Sequence, residues 1–518
     1  MYRRKNKSVI FSRAFSATLK LYLQKTSLHG FKYLLGKSDR TLLERVFWCF
    51  VQIIALYCTL EFVTFSWWQF TNDPIVTTSQ SVDVSIQNVR FPGVSICDLN
   101  QISRVKAEKY AADLALKSNT SYEEVFKMVK LLGKLSDFDS SVLANHQLLE
   151  IQSFLAIFDD SSLGRFDPYQ TLKMLSPSCE DLISDCSWNG VQYDCNDLFN
   201  NERTMAGFCC TFNYIPLKRN QHLSNFTTKI IKLNNYRFLT SIGGGLKKGL
   251  SVKINHNTSD YFYTLFSSSG AIVDIFNPSD FPDMVSGNLQ QRLVPIGVEM
   301  YVKLSATLIY AAEEVRKYPI QKRKCVFPEE SKTLFGDYST HSDCLLNCRL
   351  KSMIALCECI PLMFANTFTG DDVPQCSFQD LPCLFKYQHK WERYYPFDYN
   401  GDDMEAEKQD SLVCLHCVPN CRGISYTVRT DSDELFGESD KPLNQSLLHV
   451  YFDVQNVVAF EHDVVYYWFD IVSNFGGMFS LTIGLSLISV VELVYFFSVK
   501  LYKACAERYL KTFPQKFS

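Results

Sequence analysis

The chain has 518 residues, with 52 basic against 55 acidic side chains for a formal charge of −3, and it is 47% hydrophobic and 21% charged. That balance excludes wholesale disorder and gives no basic excess that would suit a nucleic-acid partner. A mean hydropathy of −0.07 excludes a bundle of many membrane helices.

Residues 1–45 form an N-terminal arm with 11 Lys and Arg against Asp39 and Glu44. Such an arm is not a cleavable signal, and the positive-inside rule places it in the cytoplasm. The next segment, 46–68, is largely apolar and carries a single charge, Glu61. As a helix rising 1.5 Å per residue it spans roughly 34 Å, enough for a bilayer core of about 30 Å. Residues 69–463 follow as one large polar domain without repeats. Within it, 101–160 is helix-forming, with Ala111, Leu114 and Leu116 at helical spacings. Leu250–Ile254 and Val298–Leu308 read as strands, and 340–358 reads as a helix carrying Cys344 and Cys348 on one face.

Catalytic patterns are missing from this domain: there is no G-x-S-x-G, no H-E-x-x-H and no EF-type loop. An ectoenzyme is therefore the weakest reading. Gly244 and Gly249 are spaced like a phosphate loop, but Leu250 replaces the lysine, so Gly243–Gly249 reads as a turn entering a strand. The acidic run Asp398, Asp402, Asp403, Glu405 and Glu407 reads as a solvated loop.

The second spanning segment, 464–499, contains a largely apolar run from Ile471 to Val499 with a single charge, Glu492. It is unusually rich in Gly476, Gly477, Ser480, Thr482, Gly484, Ser486 and Ser489. Small residues allow close helix approach, and Gly484-Leu485-Ser486 is suited to interrupt the helix and turn carbonyls inward. A carboxylate within the bilayer costs roughly 2.5–3.5 kcal/mol, so Glu492 is expected to face a watery path together with Ser480 and Ser489. One chain with two spans cannot enclose a pore. Several copies are required, and a ring of Glu492 side chains would attract cations. The tail, 500–518, carries Lys500, Lys503, Arg508, Lys511 and Lys516 against Glu507, which again points to the cytoplasm.

This topology leaves 69–463 outside the cell, and the cysteines agree with it. Cys49 and Cys58 lie in the first span and Cys505 in the tail, so an even number, 16 of the 19, falls outside. Spacing does not decide their pairing. It leaves zinc at Cys414-x-x-Cys417 as a rival, which an oxidising compartment disfavours. Asn119, Asn225, Asn257 and Asn444 head glycosylation sequons in the same region.

The residues resemble the degenerin/epithelial sodium channel family over nearly the whole chain. The likeness rests on His29-Gly30, on Phe91-Pro-Gly-Val-Ser-Ile-Cys97, on the cysteine block, and on Gly484-Leu-Ser486 followed by Glu492. Ser27-Leu-His-Gly-Phe-Lys-Tyr33, Cys186-Ser-Trp-Asn-Gly190 and Gly207-Phe-Cys-Cys-Thr-Phe-Asn213 look most like its arthropod pickpocket branch.

The resemblance implies an α+β membrane protein of two helices flanking a hand-like extracellular domain with palm, β-ball, finger, thumb and knuckle. It implies a homo- or heterotrimer with related subunits in the plasma membrane, both termini cytoplasmic, conducting Na⁺ and blocked by amiloride. Gly484, Leu485 and Ser486 align with the selectivity filter, Ser473 with the degenerin gating position, and His29 and Gly30 with a cytoplasmic pore mouth. The implied disulfides are Cys97–Cys209, Cys186–Cys195, Cys325–Cys421, Cys344–Cys417, Cys348–Cys414, Cys357–Cys383 and Cys359–Cys376, with Cys179 and Cys210 left to pair. No cofactor or metal is implied. The acid-sensing branch has Pro-Pro-Trp where this chain reads Lys317-Tyr-Pro-Ile-Gln-Lys-Arg-Lys324, so its proton contacts do not transfer. An extracellular ligand, a proton and mechanical pull all stay open as stimuli. The competing reading is a two-span receptor or adhesion protein that does not conduct.

Overall fold

The computed structural model describes residues 2–34, 41–79, 84–135, 166–214, 238–330, 340–364, 373–395, 405–435 and 444–512. Asn225, Asp398, Asp402 and Asp403 lie outside them. The chain divides into two compact units, residues 77–462 and residues 1–76 with 463–518.

The first of these is α+β and rich in disulfides. Its longest strand, Val298–Ala311, pairs antiparallel with Gly423–Glu434 along twelve residues, from Val298↔Glu434 to Ile309↔Gly423. On its other side it pairs parallel with Gln445–Phe452 and then with Asn456–Val464. The sheet continues through Leu250–Asn255 to Ile183–Trp188. Leu250–Asn255 alternates buried with half-buried residues, the period-two pattern of a strand with one face in the core. Both strands expected from the sequence are present.

A second sheet is antiparallel throughout, in the spatial order Gln290–Val294, Ala271–Phe276, Gly93–Asp98, Gly207–Phe212 and Phe199–Thr204. Every residue of its Ala271–Phe276 strand is buried. One cluster joins the two sheets. Phe91, wholly buried, meets the rings of Trp188 at 4.7 Å, Phe452 at 5.6 Å and Phe212 at 5.9 Å, all edge-on. Edge-on pairs of this kind add about 0.5–1.5 kcal/mol beyond area burial.

A second cluster is helical, built from Arg104–Ser118, Tyr122–Leu131, Pro168–Leu175, His341–Cys357 and Leu381–Trp391. Ala111 and Leu114 are buried in it, whereas Leu116 points outward. Thr340 and Asp343 form a reciprocal capping box that starts His341–Cys357. Farther along that helix, the buried Arg349 donates to Asp283 at 3.0 Å.

Eight disulfides staple this unit: Cys97–Cys209, Cys179–Cys210, Cys186–Cys195, Cys325–Cys421, Cys344–Cys417, Cys348–Cys414, Cys357–Cys383 and Cys359–Cys376. Cys344 and Cys348, one helical turn apart, make successive rungs to Cys417 and Cys414. This removes the thiolates that zinc would need at Cys414-x-x-Cys417. Leu246–Lys248 is a single 3-10 turn entering the strand at Leu250, as expected for the Gly243–Gly249 stretch. Glu407 is solvent-exposed on the short helix Glu405–Gln409.

The other unit is helical. Tyr2–Lys25 leads through a loop and the short Phe31–Leu34 turn. Leu42–Asn72, 31 residues, is long and apolar enough to cross a membrane. It outruns the expected 46–68 at both ends. Extended Thr41 starts it, and Asp73, held out of the α region by Pro74, stops it. The second expected span is two helices, Trp468–Ile483 and Leu487–Tyr495, bent by 69° at the break between them. The helical run then continues past the expected boundary, through a π-turn at Phe496–Lys500, to Thr512.

Candidate functional site

The break is written in three residues. Gly484 has φ +68°, the left-handed region that side chains resist, and its N–H donates to Ser480 O at 3.1 Å to close the helix. Ser486 is extended and caps the next helix, its Oγ accepting from Ser489 N at 3.2 Å. A glycine stop followed two residues later by a serine start makes the bend a consequence of local chemistry.

The loop after Tyr2–Lys25 seats against this break. His29 N donates to Ile483 O at 3.0 Å, satisfying a carbonyl at the C-terminal end of the first half-helix. The His29 ring covers Gly484 so closely that a methyl there would lie 2.7 Å from its Cδ2 and Cγ. Ser27 reaches the second half-helix: its N–H and hydroxyl donate to Glu492 Oε2 at 3.3 and 3.1 Å, and its Oγ meets Ser489 Oγ at 2.9 Å. Ser489 Oγ in turn lies 3.1 Å from Ser486 Oγ. The loop around Ser27 and His29 thus bonds to both half-helices, to Ile483 O before the break and to Ser489 and Glu492 after it.

The two faces of Trp468–Ile483 differ. Ile471, Phe475, Met478 and Thr482 are half-buried along the stripe that meets Leu42–Asn72, where Ser66 Oγ lies 3.8 Å from Met478 Sδ. On the opposite side Ser473, Gly476, Gly477 and Ser480 stand at i, i+3, i+4 and i+7, all exposed. A methyl placed on Gly476 or Gly477 meets nothing within 4 Å. Ser489 departs from expectation. It is fully buried under the Ser27 loop, so within the chain it links segments and does not line open space.

Two participants were not assigned a role from sequence. Ser27 stands inside the motif that supports the resemblance, but nothing in its type announces a bond to residue 492. Gln52 is buried in Leu42–Asn72 and donates from Nε2 to His29 O at 3.0 Å. Its signal is an uncharged polar side chain in an otherwise apolar run. Of the sequon asparagines, Asn119, Asn257 and Asn444 are exposed, as attachment requires.

The family model described as amiloride-sensitive sodium channel matches residues 22–496. The sodium channel protein Nach of Drosophila ananassae is 25% identical over 489 residues, covering 92% of this chain and 86% of its own length. Pickpocket protein 28 of Drosophila melanogaster is 22% identical over 546 residues, covering 98% and 82%. Acid-sensing ion channel 1 of Gallus gallus is 22% identical over 512 residues, covering 94% and 85%. A match that runs from the last turn of Tyr2–Lys25 to just past Leu487–Tyr495 places this chain in the amiloride-sensitive sodium channel family.

Proposed function

We propose that the chain is one subunit of a trimeric cation channel, homomeric or mixed with related subunits, that is sodium-selective and blocked by amiloride in the plasma membrane. In this reading Leu42–Asn72 and the bent pair Trp468–Tyr495 are the two spans, both termini are cytoplasmic, and the disulfide-rich unit is extracellular. Its mixed sheet serves as the palm and its antiparallel sheet as the β-ball of a hand-like domain, which receives the opening stimulus.

The observation that carries this reading is the uncovered small-residue face of Trp468–Ile483, opposite the face packed on the first helix. Three copies brought together along that face put Ser473, Gly476, Gly477 and Ser480 around one axis, with the Gly484-Leu485-Ser486 break at its narrow end. Backbone and hydroxyl oxygens there select by size and dehydration, and Glu492 beyond them favours cations over anions. Large apolar side chains elsewhere on the pair, including Trp468, Leu481, Leu487 and Ile488, are more than 70% exposed and suit lipid or a neighbouring subunit.

Expression in oocytes, alone and with related subunits, tests the assignment. Ser473→Val or a bulkier residue should hold the pore open and give a constitutive inward sodium current that amiloride blocks. An amiloride-insensitive anion current sinks the proposal, as does a cross-linking map that turns Ser473 and Ser480 toward lipid in the assembled complex.

A further inference from the structure

Gln52 is the residue that the sodium-channel reading leaves without a purpose. It sits in the middle of an apolar helix and is 7% exposed. A buried amide costs stability unless it is hydrogen-bonded. Gln52 uses only its donor end: Nε2 donates to His29 O at 3.0 Å, while Oε1 meets no donor among the described residues. The same amide presses on Gly30, where an added methyl would sit 2.0 Å from Gln52 Nε2. Gly30 has φ +78°, so backbone and space both demand glycine there.

The peptide group that accepts from Gln52 belongs to the residue whose own N–H holds the filter break. His29 therefore bridges Gln52 on the first helix to Ile483 O on the second, each bond 3.0 Å long. We propose that Gln52 is a positioning residue for ion selection, holding the His29-Gly30 loop against the Gly484 break from the first helix. This deepens the channel reading and rests on it. The bond ties a helix outside the filter to the backbone that shapes the filter, so loss of the donor should loosen filter geometry without touching a pore-lining side chain.

The test pairs a current readout with one that needs no current. In the full chain, Gln52→Leu, which keeps the volume and removes the donor, should lower the sodium-to-potassium permeability ratio by about fivefold, the factor one hydrogen bond commonly carries. Surface abundance by biotinylation should be unchanged. Gly30→Ala should reduce current strongly in the parent and much less in a Gln52→Ala background, because the obstructing amide is gone. An unchanged permeability ratio in Gln52→Leu, or strictly additive effects of Gly30→Ala and Gln52→Ala, overturns the proposal. Independently, with Cys49, Cys58 and Cys505 replaced by serine, a Gly30→Cys, Gln52→Cys pair should form an intramolecular cross-link in membranes. Absence of that link overturns the contact itself. A parent that carries anion current while the pair still cross-links defeats the channel reading and leaves the contact standing.

Discussion

At the scale of single residues, the break between Trp468–Ile483 and Leu487–Tyr495 depends on Gly484 for two separable reasons. Its left-handed φ costs an L-residue about 1–2 kcal/mol, and the His29 ring occupies the space a methyl would need. Relief by moving His29 would sacrifice its bond to Ile483 O. Gly484→Ala is therefore expected to cut sodium current by about tenfold or more, since 1.4 kcal/mol is a factor of ten in an equilibrium. Whole-cell recording against surface-labelled protein checks it; undiminished current per surface subunit would mean that the bend is not needed for conduction. The glycine and serine of the break were legible in the sequence because each acts locally, Gly484 through its own φ and Ser486 through its Oγ on the N–H three residues ahead. Ser27 and Gln52 were not, because their roles come from partners 465 and 23 residues away, and no local pattern encodes such a pairing.

Elements were legible where one period dominates. Val298–Ala311 and Leu250–Asn255 follow from alternation and β-branched content, and His341–Cys357 from helical spacing. Sheet order was not, because parallel pairing of Val298–Ala311 with two later strands depends on long crossovers that leave no mark in the strands themselves. Leu116 shows the limit inside a helix: it is apolar and near Leu114 in sequence but on the other face, 85% exposed. The His341–Cys357 helix is held by the rungs Cys344–Cys417 and Cys348–Cys414, which close loops of 73 and 66 residues. Each restricts the unfolded chain and contributes roughly 2–4 kcal/mol. Replacing Cys348 and Cys414 together by serine should lower the melting temperature of the detergent-purified chain by several degrees. The neighbouring rung keeps the helix docked, so secondary structure by circular dichroism should survive. An unchanged melting temperature would show that the second rung is redundant.

For the whole molecule, the disulfide-rich unit carries buried titratable groups whose pH dependences oppose one another. Burial raises Asp274 to about 6, against the lowering effect of hydrogen bonds from Gln291 and Ser95. Burial likewise raises Asp98 to about 6, and it raises Asp280 and Asp343, which face each other as like charges. The folded state then holds protons that the unfolded state has already released. Stability from Asp274 and Asp98 is complete below the unfolded value of 3.8 and is lost as pH rises through about 6. Burial lowers His256 to about 4, so its contribution runs the other way, present above 6.5 and lost as pH falls toward 4. The two kinds of group partly cancel between pH 4 and 6.5, so the parent's melting curve alone is a blunt probe. Single variants separate them. Asp274→Asn removes the charge that is costly at pH 7.5, on the order of 2–3 kcal/mol, and can retain contacts to Gln291 and Ser95. It should melt higher than the parent at pH 7.5, with the gap closing by pH 4. His256→Gln should gain relative to the parent as pH falls from 7.5 to 5, because no imidazole must then be kept neutral. Differential scanning calorimetry of the full chain across that range decides the matter: a gap for Asp274→Asn that widens toward acid would reverse the sign assigned to the buried carboxyls.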